Sequence, residues 1–493
     1  MNAVPVIRIR RANRQPLRPS RSYVLYWMIA ARRLRYNFAL DRALEHCRIF
    51  EKPLLIFEPL RCAYDWASDR LHKFLIEGMA DNAAQSKKYG LAYYPYLESS
   101  IDAGKGLLEA LAEHACTVVT DDFPCFFLPR MVASAAERLA VSLEAVDSNG
   151  LLPLRQTDQV FGRALDFRRY LQKTLPGLLG DFPNALPLRH AKLPVLGELP
   201  AKLCKRWPAL SKTFLASPNS ALAPLLIDHS VVPAEIRGGA AAAAAQLDAF
   251  LKKELVGYGE HNNDPDRNAR SGLSPYLHFG HLSAHEVFLR LARHEKWNPD
   301  QLALRSNGSR ENWWNMSAPA ETFLDEFITW RELGYNFASH RSDYDQFESL
   351  PAWAQRTLQA HAKDRRPYLY TSQQFEHAET HDPLWNAAQN QLVREGRIHN
   401  YLRMLWGKKI LEWTKSPQEA ARIMIHLNNR YALDGRDPNS YTGIFWVLGR
   451  YDRPWAPERP VFGSVRYMSS QNTARKFSVK SYMATYSGAS SAQ

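Results

Sequence analysis

Residues 398–413, IHNYLRMLWGKKILEW, combine two kinds of side chain at helical spacing. One helical face carries an amide, a guanidinium, a thioether and a glycine at positions i, i+3, i+4 and i+7, namely Asn400, Arg403, Met404 and Gly407. A neighbouring face repeats this spacing with Trp406, Ile410 and Trp413. Tryptophans at helical spacing most often pack in a core, and the polar face beside them is unusual for that role. The residues alone do not say what either face is for.

The stretch EFITWRELGYNF, residues 326–337, places Glu326 and Trp330 four residues apart, on one face of a helix. A carboxylate beside an indole suits a stacked heteroaromatic ligand that has hydrogen-bonding edges. The alternative is an ordinary amphipathic helix whose Arg331 and Glu332 are solvated. The sequence favours neither interpretation.

Two further segments have the composition of polar ligand-binding loops. RSGLSPYLHFGHLS, residues 270–283, has serines and a glycine before a helical pattern, so it can present hydroxyl and N–H groups to an anion. HLNNRYALDGRDPNSYTGIFW, residues 426–446, is dense in Asn, Asp, Gly and Arg, and its Asp434 is available to pair with an arginine. An ordinary helix cap and a turn-rich surface loop are the respective alternatives.

Basic and aromatic residues alternate near the C-terminus. The basic ones are Arg450, Arg453, Arg459, Arg466, Arg475 and Lys476, and the aromatic ones are Tyr451, Trp455, Phe462 and Tyr467. The whole chain has a formal net charge of +13 and a pI near 9.4. This pattern and charge indicate a polyanionic partner such as nucleic acid. A solvated charged face, or a basic enzyme without such a partner, is the alternative.

The elements that must position these residues fall into two groups. Strand-like segments alternate with helical ones near the N-terminus, at 22–28, 53–59, 91–97, 116–123 and 141–147. This alternation predicts a Rossmann-like α/β domain with a doubly wound parallel sheet, although no G-x-G-x-x-G phosphate loop follows the first strand. We predict a basic disordered arm at 1–21, the α/β domain at 22–148, a connector at 149–237, an all-α domain at 238–482 and a disordered tail at 483–493.

Composition limits the classes of function. The 493 residues contain no run of 18 or more apolar residues, so no membrane span is expected. The basic N-terminus lacks the apolar core of a secretory signal, and a transit peptide is the alternative to a disordered arm. The five cysteines form no C-x-x-C pair, so we expect no disulfide framework, no metal site and a reducing cytoplasm.

Together and in this order, the motifs resemble the photolyase/cryptochrome superfamily, and within it the class II cyclobutane pyrimidine dimer photolyases. The matching text is YVLYWM, LSPYLHFG, WRELGYNF, THDPLWNAAQNQLVREGRIHNYLRMLWGKKILEW, LNNRYALDGRDPNSY and RPVFGSVRYM. The resemblance covers roughly residues 22–482 and is strongest from 271 to 468. It implies an N-terminal α/β domain joined to a helical domain that holds FAD, in agreement with the fold predicted from the residues.

The resemblance implies a carbon–carbon lyase that repairs DNA. In that family, excited reduced FAD gives an electron to a pyrimidine dimer flipped out of DNA, the cyclobutane ring splits, and the electron returns. The expected partner is damaged DNA, double- or single-stranded. The expected protein is a monomer, cytoplasmic and nucleoid-associated in a bacterium or nuclear in a eukaryote. A cryptochrome-like blue-light photoreceptor and an enzyme for the (6-4) photoproduct are the alternatives.

The resemblance also assigns roles to individual residues. Matches to FAD-binding positions are Tyr258, Ser271, Leu273 and Ser274 at the phosphates and ribityl chain, and Asn400, Arg403, Asn428 and Asp434 at the ring system, with Asn428 facing N5. Matches to the lesion pocket are Glu326, Trp330, Met404 and Trp446. Matches to a chain that carries electrons from the surface are Trp385, Trp406 and Trp413. Matches to a DNA-contacting loop are Asp452, Arg453 and Trp455.

Three stretches depart from the pattern of the family. IAARRLRYNFAL, residues 29–40, replaces the usual text on the antenna side, which leaves open whether an antenna chromophore of the deazaflavin or folate type is bound. SNGSRENWWNMSAP, residues 306–319, has the form of an insertion. Glu286 stands near a position where many relatives carry arginine, and we expect it to weaken one DNA or structural contact.

Overall fold

The computed structural model of the chain describes residues 3–189, 191–216, 222–261, 264–267 and 270–488. The chain divides into two compact units, each built from separate stretches of sequence. The first comprises Met1–Asp158, Leu175–Ala249 and Gly272–Pro299, and the second comprises Gln159–Thr174, Phe250–Ser271 and Asp300–Gln493. The sequence had instead indicated contiguous domains separated by a connector.

A six-stranded sheet forms the core of the first unit. Its strands are β1 Ile9–Arg11, β2 Tyr23–Trp27, β3 Leu54–Leu60, β4 Ala92–Leu97, β5 Ala115–Asp121 and β6 Leu143–Val146. The order is β1-β6-β5-β2-β3-β4, in which β1 pairs antiparallel with β6 and all other pairs are parallel. The predicted α/β class and its doubly wound sheet are therefore confirmed.

The described helices are numbered in chain order. Before residue 300 they are α1 Phe38–Phe50, α2 Asp69–Lys88, α3 Leu107–Ala112, α4 Leu128–Arg138, α5 Ala164–Thr174, α6 Ala201–Arg206, α7 Lys212–Ala216, α8 Ala240–Ala249, α9 Tyr258–His261, α10 Ser274–His278 and α11 Ala284–His294. After residue 300 they are α12 Ala318–Leu324, α13 Arg331–His340, α14 Ala352–Ala360, α15 Ser372–Glu376, α16 Pro383–Glu395, α17 Asn400–Glu412, α18 Pro417–Tyr431, α19 Pro438–Val447, α20 Ser470–Lys476 and α21 Lys480–Tyr486. Two π-helices, Phe250–Glu254 and Asp325–Trp330, follow α8 and α12 directly.

The sheet is covered on both faces because its strands are apolar on both sides. Successive residues of a strand point to opposite faces. Leu25 of β2 lies in a cluster with α3 and α4, whereas its neighbour Val24 lies in a cluster with α1. All five residues of β2 are buried. Within the described part of the chain, no helix is long and apolar enough to cross a membrane.

The N-terminal segment is ordered where the sequence predicted a disordered arm, and that prediction is wrong for residues 3–21. Ile9 pairs with Val146 in the antiparallel β1–β6 ladder. Arg8 is 1% exposed, donates to the Leu151 carbonyl at 2.8 Å, and lies 3.5 Å from the Asp147 carboxylate. A buried cation needs such a partner, so these contacts hold the segment on the sheet.

The C-terminal prediction is corrected in the same way for part of its range. α21 runs to Tyr486, whose hydroxyl donates to Glu395 at 2.5 Å, so the predicted tail is helical at its start. The rest of that tail, from residue 489, lies outside the described residues.

The loop after β2 is closed by a carboxylate of the protein itself. Asp121 accepts hydrogen bonds from the three N–H groups of residues 29–31 at 2.7–3.0 Å. It therefore uses the amides that a phosphate loop would offer to an anion. In the same loop Arg35 pairs with Glu286 at 2.7 Å, and Glu286 is 1% exposed. Two departures noted in the sequence thus meet in one ion pair, which gives Glu286 a structural contact.

Candidate active site

Two tryptophans from different elements stack in the second unit. Trp330 is the last residue of the π-helix Asp325–Trp330, and Trp446 lies in α19. Their ring centroids are 4.8 Å apart and their planes differ by 17°. Both side chains are partly buried. The resemblance assigned them as flat faces of a pocket, and the structure joins them into one two-ring platform that can stack against a base.

Glu326 stands on the same π-helix as Trp330, and its carboxylate accepts a hydrogen bond from the Tyr258 hydroxyl at 2.6 Å. Burial raises the pKa of the Glu326 carboxyl above its ordinary value, and the hydrogen bond from Tyr258 opposes this shift. Burial and the nearby carboxylate raise the pKa of Tyr258 well above its ordinary value. A carboxyl group with a raised pKa is suited to hydrogen-bond the edge of a base. Tyr258, expected at the FAD chain, therefore contacts a residue of the expected lesion pocket.

One predicted ion pair connects the polar face of α17 with the loop that follows α18. Arg403 Nη2 lies 3.4 Å from Asp434 Oδ1, and both side chains are partly buried. The arginine–aspartate pair expected from the resemblance is therefore formed. Asn400, the first residue of α17, is exposed, and no side-chain hydrogen bond places it at the ring site among the residues that the structure describes.

The small residue of the same face lets α17 approach its neighbours. A Cβ added at Gly407 would lie 2.6 Å from Val447 Cγ2 and 3.0 Å from Met424 Sδ. Glycine is therefore required where α17 packs on α18 and α19. Met404 is partly buried and lies three residues before Gly407, so helical spacing puts the two residues on one face of α17.

Asn428 is buried on α18 with a defined amide orientation. Its Nδ2 donates to Ser440 Oγ at 2.6 Å and to Asn429 Oδ1 at 3.3 Å. Both bonds use the amide nitrogen, so the oxygen is the atom suited to accept a hydrogen bond from a protonated ring nitrogen. Ser440, which fixes this orientation, was not singled out in the sequence, although it stands in the polar run that was.

An unassigned arginine provides a test of whether FAD phosphates fit. The Nε of Arg270 is buried with no hydrogen-bond partner among the described residues, while Nη1 donates to the Ile398 carbonyl at 3.3 Å. Burial, followed by the charges of Arg397 and Arg403, lowers the pKa of Arg270 to about 10. A group of arginines with an unused N–H suits a diphosphate. The residues present therefore fit the cofactor, and the position of Arg270 directly before Ser271 was the signal in the sequence.

The remaining predicted phosphate-site residues are divided between the units. Ser271 is partly buried and belongs to the second unit. Leu273 and Ser274 belong to the first unit, where Leu273 is buried and Ser274 begins α10 as an exposed residue. The structure thus does not bring all four predicted residues together within one unit.

The three tryptophans of the predicted electron chain are linked by one hydrogen bond to a backbone carbonyl and one ring contact. Trp385 Nε1 donates to the Trp406 carbonyl at 3.0 Å, and the Trp385 ring lies 6.0 Å from the Trp413 ring. Trp406 Nε1 donates to Gln389 at 2.9 Å. Trp385 is 0% exposed and the other two are 2% exposed, so none of them reaches the surface. The expectation that the chain itself begins at the surface is therefore corrected.

Further aromatic residues extend this cluster to solvent. Tyr370 and His381 lie 5.7 Å and 4.9 Å from the Trp413 ring, measured between centroids. Tyr368 stacks on His381 at 3.7 Å and is 48% exposed. These residues were missed in the sequence, where the alternating YLY at 368–370 just before the matching text was the available signal.

The predicted DNA-contacting residues gather in one loop. Asp452 Oδ1 accepts from the Trp455 indole N–H at 3.1 Å and from the Arg453 backbone N–H at 2.8 Å. The guanidinium groups of Arg453 and Arg466 lie 5.1 Å and 5.2 Å from the centroid of the Trp455 ring. Trp455 is 37% exposed. An exposed indole between two arginines suits an unpaired base beside backbone phosphates, and Asp452 orients the indole.

The first unit contains a cavity of about 910 Å³ at the carboxyl ends of its parallel strands. Ligands of open α/β sheets bind at this edge. Its aromatic lining is Trp27, Phe57, Tyr64, Tyr96, Phe126 and Phe127, and its basic lining is Arg61, Lys105, Arg130 and Arg138. The sequence did not identify this cavity, because its residues come from the ends of several strands far apart in the chain.

Within the described residues, no group of three or more His, Cys, Asp and Glu side chains could hold a metal ion.

Comparison with known proteins finds relatives along nearly the whole chain. The deoxyribodipyrimidine photo-lyase of Methanothermobacter thermautotrophicus is 35% identical over 477 residues, which is 97% of both chains. That of Potorous tridactylus is 33% identical over 93% of this chain and 80% of its own, and that of Arabidopsis thaliana is 32% identical over 96% and 91%. Cryptochrome-2 of Gallus gallus is 28% identical over 35% of this chain.

Solved structures support the same fold. A bacterial class III photolyase from Agrobacterium tumefaciens aligns with a TM-score of 0.67 over 95% of this chain and 86% of its own, at 17% identity. No family model matches the sequence. Because the Methanothermobacter relative shares a third of its residues over nearly its full length, the chain belongs to the deoxyribodipyrimidine photo-lyase family.

Proposed function

We propose that this chain is a light-driven DNA repair enzyme of the class II type that splits cyclobutane pyrimidine dimers. The observation that carries the proposal is the stacked pair Trp330 and Trp446 with Glu326 on the same π-helix. A flipped-out dimer needs a flat surface for its rings and a hydrogen-bonding group for a base edge. The full-length relatives named deoxyribodipyrimidine photo-lyase support the reaction, and the matching motifs support the class.

FAD, when bound and reduced, supplies the light-excited electron that the reaction needs. The chain's own residues hold and orient the reactants. Arg270 and its neighbouring arginines would bind the phosphates, and Arg403 with Asp434 would hold the ring system. Asn428 Oδ1 would be the atom that accepts a hydrogen bond from a ring N–H. Glu326, with its raised pKa, hydrogen-bonds a base carbonyl as negative charge develops there.

The test is repair of a dimer-containing oligonucleotide by the purified protein. With reduced flavin and near-UV or blue light, we expect dimers to disappear, and no loss in the dark. Glu326→Gln keeps the size of the side chain but replaces its carboxyl O–H with a weaker amide N–H donor, so it should lower the yield per photon by about tenfold, roughly 1.4 kcal/mol of lost stabilisation. Persistence of the dimers under light, with flavin present and reduced, would contradict the proposal.

The same assay separates the alternatives. A (6-4) photoproduct in the same oligonucleotide should survive illumination. A cryptochrome-like photoreceptor should leave both lesions intact. The partial match to Cryptochrome-2 gives that second function less support than the full-length relatives give to repair.

We further propose that the cavity of the first unit binds an antenna chromophore. Its volume of about 910 Å³ and its aromatic walls suit a flat heteroaromatic molecule. Arg61 and Arg138 of the lining pair with Glu98 and Glu109, so Lys105 and Arg130 are the lining cations suited to an acidic tail. Chromophores released by denaturation should include a second compound besides FAD, and its absorption spectrum distinguishes a deazaflavin from a folate. Recovery of FAD alone from protein made in cells that supply both compounds would contradict this second proposal.

A further inference from the structure

Arg168 of α5 makes a buried ion pair with the residue that precedes Glu326. Its Nε and Nη2 lie 2.7 Å and 3.1 Å from the two carboxylate oxygens of Asp325, a two-point contact. The two side chains are 11% and 9% exposed. Through Nη1 the same guanidinium donates to the Gly308 carbonyl at 3.2 Å. One side chain therefore joins α5, the segment 306–319 and the π-helix.

The segment 306–319 fits closely against α5. Gly308 has a φ of +83°, and a Cβ there would lie 2.7 Å from Arg169 Cγ and 2.8 Å from Leu165 Cδ1. Its N–H donates to Gln172 Oε1 at 2.7 Å. Only glycine combines this backbone conformation with this approach. The segment 306–319, which resembles an insertion, is thus held in one position against α5. Its Gly308 carbonyl accepts the hydrogen bond from the Arg168 guanidinium.

The ion pair lies at the point where the helix changes its pitch. Asp325 is the first residue of the π-helix and Glu326 is the second. Each hydrogen bond of a π-helix spans one more residue than in an α-helix, so the direction of each following side chain depends on where the wide turn begins. A contact that fixes Asp325 therefore also fixes the direction of Glu326 and the start of the turn that ends at Trp330.

We propose that Arg168 is a positioning residue of the lesion pocket: by holding Asp325 against Gly308, it sets the direction of Glu326. The proposal rests on the proposed function and deepens it, since it explains how the pocket carboxyl is held. The segment 306–319 is then part of the repair machinery through its contact with α5.

The experiment measures dimer repair per flash by the reduced holoenzyme and its affinity for dimer-containing and undamaged DNA. Arg168→Met should lose about tenfold in repair yield and in the ratio of the two affinities, the scale of a misplaced reacting group. Arg168→Lys should lose less, since it keeps the charge without the two-point contact. The control Arg163→Met removes an exposed cation directly before the same helix, one that pairs with Asp166, and it should behave as wild type.

A double variant separates positioning from general loss of structure. With Glu326→Gln already present, Arg168→Met should change the repair yield by less than about twofold, because its effect passes through Glu326. FAD content and affinity for undamaged DNA should stay unchanged. Equal yields of Arg168→Met and Arg163→Met, or full additivity with Glu326→Gln, would overturn the proposal.

If Arg168→Met does not fold, Arg168→Lys is compared in the wild type and in Glu326→Gln instead. If the losses of repair yield from these two substitutions are additive, the proposal is contradicted. If the wild type does not repair dimers, the proposed function fails, while the affinity ratio for dimer and undamaged DNA still tests Arg168.

Discussion

Lys408 places an amino group in the interior of the second unit with 0% exposure. Its Nζ donates to the carbonyl of Val447, the last residue of the helix that carries Trp446. Burial lowers the pKa of Lys408 to about 7, with Asp452 opposing the shift and Arg466 adding to it. Lys408 therefore holds the C-terminal end of α19 through this hydrogen bond, and its amino group loses its proton at a lower pH than an exposed lysine does.

This depressed pKa predicts a dependence of stability on pH. Between pH 7 and the ordinary lysine pKa of 10.5, the unfolded chain holds a proton that the native chain has released. The free energy of unfolding therefore rises with pH across this window. Below pH 7 the titration of Lys408 no longer changes it. Lys408→Met lacks the effect, so the wild type should gain a few kcal/mol relative to the variant from pH 7 to 10.

The measurement is chemical denaturation of both proteins at several pH values. Ionisation of tyrosines and cysteines cancels in the difference between them. A difference in unfolding free energy that stays constant over the window would show that Lys408 is already protonated in the native state.

Ion pairs between residues of the quoted motifs were predictable from the sequence, whereas the burial of a residue within those motifs was not. Arg403 and Asp434 belong to two motifs of the resemblance, and their contact at 3.4 Å follows the prediction. Arg270 and its unused Nε were missed, because burial beside Arg397 is a property of the packed chain. Burial of this kind leaves no local pattern in the sequence.

At the scale of elements, α16 and α17 hold the tryptophan cluster together. Trp385 on α16 bonds the backbone of Trp406 on α17, and the Trp385 ring contacts Trp413. The cluster continues through His381 to exposed Tyr368. A path of aromatic rings therefore leads from the interior of the second unit to solvent.

Trp406→Phe tests this path. Phenylalanine keeps an aromatic ring but is harder to oxidise and loses the bond to Gln389. We expect photoreduction of oxidised flavin to slow by about tenfold or more, the effect of roughly 1.4 kcal/mol or more on a barrier. Repair by chemically reduced protein should be unchanged.

The control for this prediction is Trp297→Phe, which changes a buried tryptophan of the first unit. It should alter neither reaction. Parallel loss of repair in chemically reduced Trp406→Phe would assign the residue to the site's architecture instead of to electron supply.

Elements with a strong local period were predicted, and elements defined by distant partners were not. The five parallel strands follow from apolar runs between turns. The short β1 was missed although VIRIR alternates, because its order depends on Arg8 meeting Asp147 far along the chain. The sequence placed the residues of α5 in a connector. In the structure α5 belongs to the second unit, where Arg168 forms an ion pair with Asp325. The π-helix has no signature in the sequence that distinguishes it from an ordinary helix.

At the scale of the whole molecule, the net charge of +13 bears on the partner. Such a charge favours association with DNA before any specific contact forms. The exposed arginines around Trp455 give this attraction a local site. Charge and composition predicted a polyanionic partner, but only the packed loop shows which arginines lie beside the exposed indole of Trp455.

The dependence of DNA binding on salt tests this assignment. Each phosphate neutralised by an arginine adds about −0.9 to the slope of log K against log salt concentration. Arg453→Gln and Arg466→Gln should each make the slope shallower by about 1, for dimer-containing and undamaged DNA alike. The matched control is Arg163→Gln, an exposed arginine at the start of α5 that pairs with Asp166 and should leave the slope unchanged. Equal slopes for all four proteins would place the phosphate contacts elsewhere on the basic surface, since charge near Trp455 would then contribute nothing to counterion release.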